Sequence, residues 1–232
     1  MDVIREAVAR GQSILTEYQG KKLLRDYGIP VVKEEMVSDE KEALRVAKSI
    51  GFPTVLKFCS SQVAHKTERG LIELDLHDEE ELATAFRHLK DRTQGLEGGF
   101  LVQEFVKGAR ELVIGMIRDP QFGPCVMFGL GGVFTEILND TSFRIAPIKK
   151  QDAMEMIQQI KGHKILEAVR GMKAVDLEVL CQSLIGLGNL GLEHEAVKEV
   201  DINPLVVREG CPVAVDALVV LRDFPLRRER SN

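Results

Sequence analysis

Residues 197–207 read Val197-Lys198-Glu199-Val200-Asp201-Ile202-Asn203-Pro204-Leu205-Val206-Val207, and their alternation decides how they fold. Side chains along a strand point to opposite faces in turn, so Glu199, Asp201 and Asn203 share one face while Val200 and Ile202 share the other. A second β-like run, Val213–Leu221, carries Asp216 thirteen residues beyond Asn203, and its return as a hairpin partner would set Asp216 beside Asn203. Two readings stay open for this oxygen-rich face. It suits a hard cation such as Mg²⁺, which takes one or two carboxylates together with phosphate oxygens; it also suits the solvated side of an ordinary hairpin.

Working back from this strand, the spacing predicts helices near Lys150–Ile160 and Val175–Leu190, preceded by short β segments at Glu111–Ile117, Pro124–Phe128, Val133–Leu138 and Ser142–Ile145. Before Lys107 and Gly108 the character differs. Thr16 and Gln19 have the spacing of a capping box ahead of a helix that runs to Tyr27 and stops at Gly28 and Pro30. An extended run at Ile29–Val37, a helix at Asp39–Ser49, a strand at Thr54–Phe58, a strand at Leu71–Leu76, a helix at Asp78–Arg92 and a strand at Phe100–Val106 follow. Helices alternating with strands imply a layered α/β or α+β domain, and the change of pattern places a lobe boundary near residues 107–110.

Three further features could carry chemistry. Lys57 ends the apolar run Thr54-Val55-Leu56-Lys57, where a lone ammonium is costly unless it snorkels or meets an anion, and phosphate is a natural partner. Gly129-Leu130-Gly131-Gly132 could bring backbone N–H groups close to phosphates, but it lacks the Lys-Ser/Thr of a P-loop and also reads as a plain glycine hairpin. Of the five histidines, His77, His88, His163 and His194 lie in polar or helical contexts, whereas His65 sits in the loop after the Lys57 strand.

Composition narrows the classes. The 232 residues are 44% hydrophobic, enough for a sizeable core. A formal charge of −5 and the lack of Trp argue against nucleic-acid binding. No run approaches the roughly 20 apolar residues of a membrane span, and the opening MDVIREAVARGQ reads as a mixed-charge helix rather than a signal peptide, so a cytoplasmic protein is expected. Cys59, Cys125, Cys181 and Cys211 are widely spaced and suggest reduced thiols rather than zinc ligands or disulfides.

Taken in order, Leu15-Thr16-Glu17-Tyr18 with Tyr27-Gly28-Ile29-Pro30, Val55-Leu56-Lys57, His65-Lys66-Thr67, Val102-Gln103-Glu104-Phe105-Val106, Gly129-Leu130-Gly131-Gly132-Val133-Phe134, Ser142-Phe143-Arg144-Ile145-Ala146-Pro147 and Asp201-Ile202-Asn203-Pro204-Leu205 resemble the ATP-grasp β subunit of ADP-forming acetyl-CoA (acyl-CoA) synthetases, relatives of succinyl-CoA synthetase. The resemblance covers nearly the whole chain. It implies an α+β, ATP-grasp fold of two lobes clasping a nucleotide: an N-terminal helical segment at 1–27, a small lobe at 28–107 and a large, metal-binding lobe at 108–232.

The same resemblance implies ATP/ADP and Mg²⁺ as ligands. It places Lys57 on the phosphates, Glu104, Phe105 and Val106 on adenine, and Glu111 on the ribose. Gly129, Gly131, Gly132 and Arg144 would steady the phosphoryl group, and Asp201, Asn203 and Asp216 would hold Mg²⁺. His65 would carry phosphate between ADP and a phosphohistidine of a separate α subunit that binds CoA and the acid, in an α₂β₂ assembly. Two rival readings are a carboxylate ligase that works through an acyl phosphate and a non-catalytic nucleotide-sensing module; a sensor need not keep Lys57, His65, Arg144, Asn203 and Asp216 together.

Overall fold

The computed structural model describes residues 3–61, 70–132, 140–169 and 171–222; His65 and the expected segment Val133–Leu138 lie outside them. Helices α1 (Val3–Ala9) and α2 (Glu17–Asp26) open the chain. The capping box at α2 forms as its spacing predicts: the Thr16 hydroxyl accepts from the Gln19 N–H at 3.3 Å, and the Gln19 side-chain oxygen accepts from the Thr16 N–H at 2.9 Å. Leu23 and Leu24 bury from one side of α2, and so do the charged Glu17 and Lys21.

The next elements are β1 (Glu34–Val37), α3 (Glu40–Ile50), β2 (Thr54–Cys59), β3 (Ile72–Leu76), α4 (Glu79–Arg92) and β4 (Gly99–Glu104). Asp39 and Asp78 cap the two helices, each accepting backbone N–H bonds of 2.8–2.9 Å. In α4, Glu79, Glu80 and Glu81 occupy the positive first turn and Lys90 and Arg92 the negative last turn. The strands form an antiparallel sheet in the order β1-β4-β2-β3. Ala43, Val46, Leu82, Phe86 and Leu89 of the helices close against Leu56, Phe58, Phe100 and Val102 of the sheet, each full burial of a Leu or Phe being worth roughly 1.5–3 kcal/mol.

A second core lies under β5 (Glu111–Asp119), β6 (Gly123–Leu130), β7 (Thr141–Ile145), β8 (Val197–Arg208), β9 (Cys211–Ala214) and β10 (Leu218–Leu221). The order is β10-β8-β5-β6-β7, with β9 beside the second half of β8. Helices α5 (Lys150–Gln159) and α6 (Leu177–Glu193) supply Met156, Ile157, Leu180, Leu184 and Leu187 against Ile114, Met116, Val126, Val200, Ile202 and Val219. Ile4, Leu23 and Leu24 of α1 and α2 belong to this second core. Gly186 of α6 lies so close to the Tyr27 carbonyl that a Cβ there would stand 2.2 Å from it, so only glycine permits that approach.

The run expected as one strand at Val213–Leu221 is two. β9 pairs with Leu205–Arg208 and β10 with Val197–Asp201, and the chain leaves the ladder between them. The cause is in β8. The Val215 N–H reaches the Pro204 carbonyl at 3.3 Å, but proline has no N–H to return. The break carries Asp216, whose carboxylate accepts from the Ala217 N–H at 2.8 Å.

Candidate functional site

Pair by pair across the larger sheet, Val219, Val200, Met116, Val126 and Arg144 fall on one face, and Leu218, Asp201, Gly115, Met127 and Phe143 on the other. The first set, apart from Arg144, is buried under the helices. Asp201 and Glu199 therefore stand on the helix-free face, as their alternation with Val200 and Ile202 predicts. Asp201 is half-buried, and its neighbour across the ladder, Gly115, presents no side chain. Burial, then the charges of Glu199 and Asp216, push the Asp201 carboxyl above the usual carboxylate range.

Continuing the β8–β9 register from Leu205↔Ala214 by two residues sets Asn203 opposite Asp216, which is the neighbourhood the sequence predicts, reached through the strand break rather than a continuous hairpin. Among the described residues no three His, Cys, Asp or Glu side chains form a metal cage. A Mg²⁺ held by one or two carboxylates, an amide oxygen, phosphate and water needs none. Three oxygen side chains, two of them carboxylates coupled through their charges, fit that ion.

Lys57 is buried within β2, with Phe58 and Cys59 beyond it, and its anion is a carboxylate. Its ammonium donates to Glu17 Oε1 at 2.6 Å and to the Val215 carbonyl at 2.9 Å, the carbonyl that Pro204 cannot serve. Burial alone would lower its pKa; the charges of Glu17 and then Asp216 outweigh burial and hold it above the ordinary lysine value. The same Glu17 oxygen accepts from Lys21 at 2.7 Å, and Lys21 also donates to Glu34 Oε2 at 2.7 Å and Gln103 Oε1 at 2.6 Å. The side chains of Glu17, Lys21 and Glu34 are at most 1% exposed. Burial, against the opposing Lys21 charge, pushes the Glu34 carboxyl up, and its second oxygen is buried without a hydrogen-bond partner among the described residues.

This network joins α2, seated on the larger core, to β1, β2 and β4 of the smaller sheet. Sequence reasoning missed Glu17, Lys21 and Glu34. The signal available was the i,i+4 pair Glu17/Lys21, acid first, on the same side of α2 as Leu24.

The segment Glu104–Val106 leaves the smaller sheet beside this network. The Glu104 N–H donates to the Lys33 carbonyl at 2.9 Å and the Phe105 N–H to the Pro53 carbonyl at 3.1 Å. The Glu104 side chain accepts from the Lys33 N–H at 2.9 Å and pairs with Arg208 at 2.9 Å. The N–H groups of Glu104 and Phe105 are thus both committed within the fold.

Arg110 follows, buried, and clamps the carbonyls of Ile165, Glu167 and Lys173, which fixes the start of β5. The exposed Glu111 projects from that fixed start. Its carbonyl accepts from the Gly131 N–H at 2.7 Å, and a Cβ on Gly132 would come within 2.9 Å of its carboxylate. The structure thus brings Glu111 and the glycine loop together, with Gly131 packed against the Glu111 backbone and Gly129 against Asp140 and Thr141.

Arg144 is not brought to this group. It lies on the helix side of edge strand β7, where its guanidinium donates to Gln159 Oε1 at 3.0 Å and to the Phe143 carbonyl at 2.9 Å and stands 3.5 Å from Glu155. Asp201 is on the opposite face and three strands away, roughly 14 Å at about 4.8 Å per strand. Strand parity sets Arg144 apart from Asp201: Phe143 and Ile145, rather than Arg144, share the face of Asp201. His65 lies outside the described residues. The four cysteines are free thiols, and no helix among the described residues is long and apolar enough to cross a membrane.

Comparison with known proteins identifies the family and the fold. The ATP-grasp domain family matches residues 6–221. The β subunit of ADP-forming acetate–CoA ligase I from Pyrococcus furiosus is 41% identical over 95% of this chain and 97% of its own. The dinucleotide-forming acetyl-coenzyme A synthetase 1 of Ca. Korarchaeum cryptofilum, solved with coenzyme A and Ca-AMPCP, superposes with a TM-score of 0.90 at 42% identity, covering 95% of this chain and 99% of that one. A second structure of that enzyme, with coenzyme A and Mg-AMPPCP and its phosphohistidine segment pointing towards the nucleotide binding site, matches with a TM-score of 0.84 over the same shares. The chain belongs to the ATP-grasp family and, within it, to the β subunits of ADP-forming acetate–CoA ligases.

Proposed function

We propose that this chain is the nucleotide-binding subunit of an ADP-forming acyl-CoA ligase, which with a CoA- and acid-binding α subunit catalyses acyl-CoA + ADP + phosphate ⇌ acid + CoA + ATP. The observation that carries the reading is that Lys57 holds the Val215 carbonyl at the break between β9 and β10, beside Asp216, where the strand register sets Asp216 opposite Asn203 and two residues from the level of Asp201. Uncompensated carboxylates beside one buried ammonium suit a Mg-nucleotide, whose metal takes the carboxylates and whose phosphates take the lysine.

In this reading Asp201, Asn203 and Asp216 hold Mg²⁺, which when bound neutralises phosphate charge. Lys57 donates to the phosphates, Glu111 accepts from the ribose hydroxyls, and the Glu104–Val106 segment meets adenine through Val106. The Gly129, Gly131 and Gly132 backbone lies against the phosphates. The lobes at 28–107 and 108–232 would close on the nucleotide between them. Towards ATP, a terminal oxygen of ADP attacks phosphorus carried on one nitrogen of the His65 imidazole; with a proton on the ring's other nitrogen, the N–P bond breaks and neutral imidazole leaves. The relative's phosphohistidine segment, directed at its nucleotide site, supports assigning this carrier role to His65. A small acid such as acetate follows from likeness to the Pyrococcus enzyme's β subunit, and the α₂β₂ assembly from the family resemblance alone.

The test is reconstitution with the α subunit, following ATP formed from acyl-CoA, ADP and phosphate. His65→Ala should abolish ATP formation while leaving Mg-ADP binding within about twofold, the phosphorus acceptor being lost and the nucleotide site kept. Retained turnover in that variant would sink the reading.

A further inference from the structure

Glu17 Oε1 is a shared acceptor. It bonds Lys57 at 2.6 Å and Lys21 at 2.7 Å, while Leu23 and Leu24 fasten its helix to the larger core and Lys57 rides on the smaller sheet. An ammonium has three N–H donors. Glu17 and the Val215 carbonyl take two of those on Lys57, and one remains.

Lys57 already holds the carbonyl of Val215, the residue before Asp216. With Glu17 gone, the Asp216 carboxylate is the acid beside that carbonyl, and a lysine paired with Asp216 would be withdrawn from phosphate and would compete with a cation for that carboxylate. From this geometry we infer that Glu17 is a positioning residue: it holds Lys57 away from Asp216, so that the lysine stays aimed at phosphate and the carboxylate stays available to Mg²⁺. The inference rests on the reading of Lys57 and Asp216 as nucleotide-site groups.

The other charges of the seam keep Glu17 in place. Lys21 holds the same oxygen and is itself tied to Glu34 and Gln103 on the smaller sheet. Glu17 is therefore fixed from both sides of the seam.

The experiment is calorimetric titration of the full chain with ADP at a series of Mg²⁺ concentrations and with Mg²⁺ removed, for Glu17→Gln, Glu17→Asp and Lys57→Met, with thermal midpoints measured in parallel. Glu17→Gln should raise the Mg²⁺ concentration needed for half-maximal ADP binding on the order of tenfold, while Mg-free ADP binding changes far less. Glu17→Asp keeps the charge but draws the oxygen back by one methylene; it should shift the same way and carries the test if Glu17→Gln does not fold. Equal losses with and without Mg²⁺ would mark a merely structural role and overturn the inference. So would parental binding in both Glu17 variants while Lys57→Met loses affinity. Parental binding in Lys57→Met would overturn the underlying reading of Lys57 as well.

Discussion

Two concentrations of charge lie close together in this molecule and are built on opposite plans. Under α2, Glu17 and Glu34 alternate with Lys21 and Lys57, two of each sign, buried and bonded within 2.7 Å. On the helix-free face of β8, Glu199 and Asp201 stand two residues apart with Asp216 nearby, and burial, then the like charges of its two neighbours, raise Asp201. Charges that answer one another hold a structure together; like charges left facing one another raise each other's pKa and are what a bound cation would offset. Lys57 belongs to both groups, which is what couples the seam to the site.

The contrast predicts opposite consequences for substitution. On the β8 face, Asp216→Ala should reduce Mg-dependent turnover by at least about a hundredfold in the reconstituted enzyme, an effect typical of losing a group that stabilises charge in the transition state. Its thermal midpoint should barely fall. If turnover survives, the like-charged face is only a solvated one.

In the seam, Lys21→Met leaves two buried carboxylates to share one ammonium. Removing one partner of a buried pair costs about 3–5 kcal/mol, so the thermal midpoint should fall by roughly 10 °C for a chain of this size. Scanning calorimetry checks it, and a midpoint within about two degrees of the parent would show that the seam contributes little.

Asp201→Asn should do the reverse. A carboxyl whose folded pKa is raised costs stability as pH climbs from its ordinary value through the raised one, and costs nothing below both. The variant should therefore melt higher than the parent at neutral pH by a few degrees, with the difference shrinking to nothing as pH falls below the ordinary carboxylate range. A midpoint difference independent of pH would assign the effect to something other than this titration.

The smallest effect is expected at Arg144. Its partners are Gln159 and Glu155 on the far side of the sheet, and the parity argument gives Arg144→Ala less than about threefold in turnover, with stability within about 0.5 kcal/mol as for exposed surface contacts. A hundredfold loss would restore the sequence-level expectation and break the parity argument.

These pairs also mark how far the sequence could be read. Elements set by local rules were legible: the Thr16–Gln19 box, the helices starting at Asp39 and Asp78, and the face shared by Glu199 and Asp201. So was the register of Asn203 against Asp216. What was hidden depends on which segments meet. Lys57 announced a buried ammonium, but Glu17 lies 40 residues away, and nothing local says that α2 crosses the seam to meet it. Pro204 was visible as a motif residue, yet its consequence, an unserved carbonyl at Val215 that takes a Lys57 N–H, exists only in the ladder. On β7 local pattern was misleading, since the apolar Phe143 and Ile145 are about half exposed and the buried parity carries Ser142 and Arg144.

The central claim, that this chain relays phosphate through a histidine, is tested most directly by incubating it with Mg²⁺ and ATP radiolabelled at the γ-phosphate, alone and with the α subunit. The account predicts protein-bound label that is acid-labile and base-stable, the signature of phosphohistidine, and that vanishes from this chain in His65→Ala. Label that persists on the chain in that variant, or fails to form with the partner present while nucleotide still binds, would contradict it.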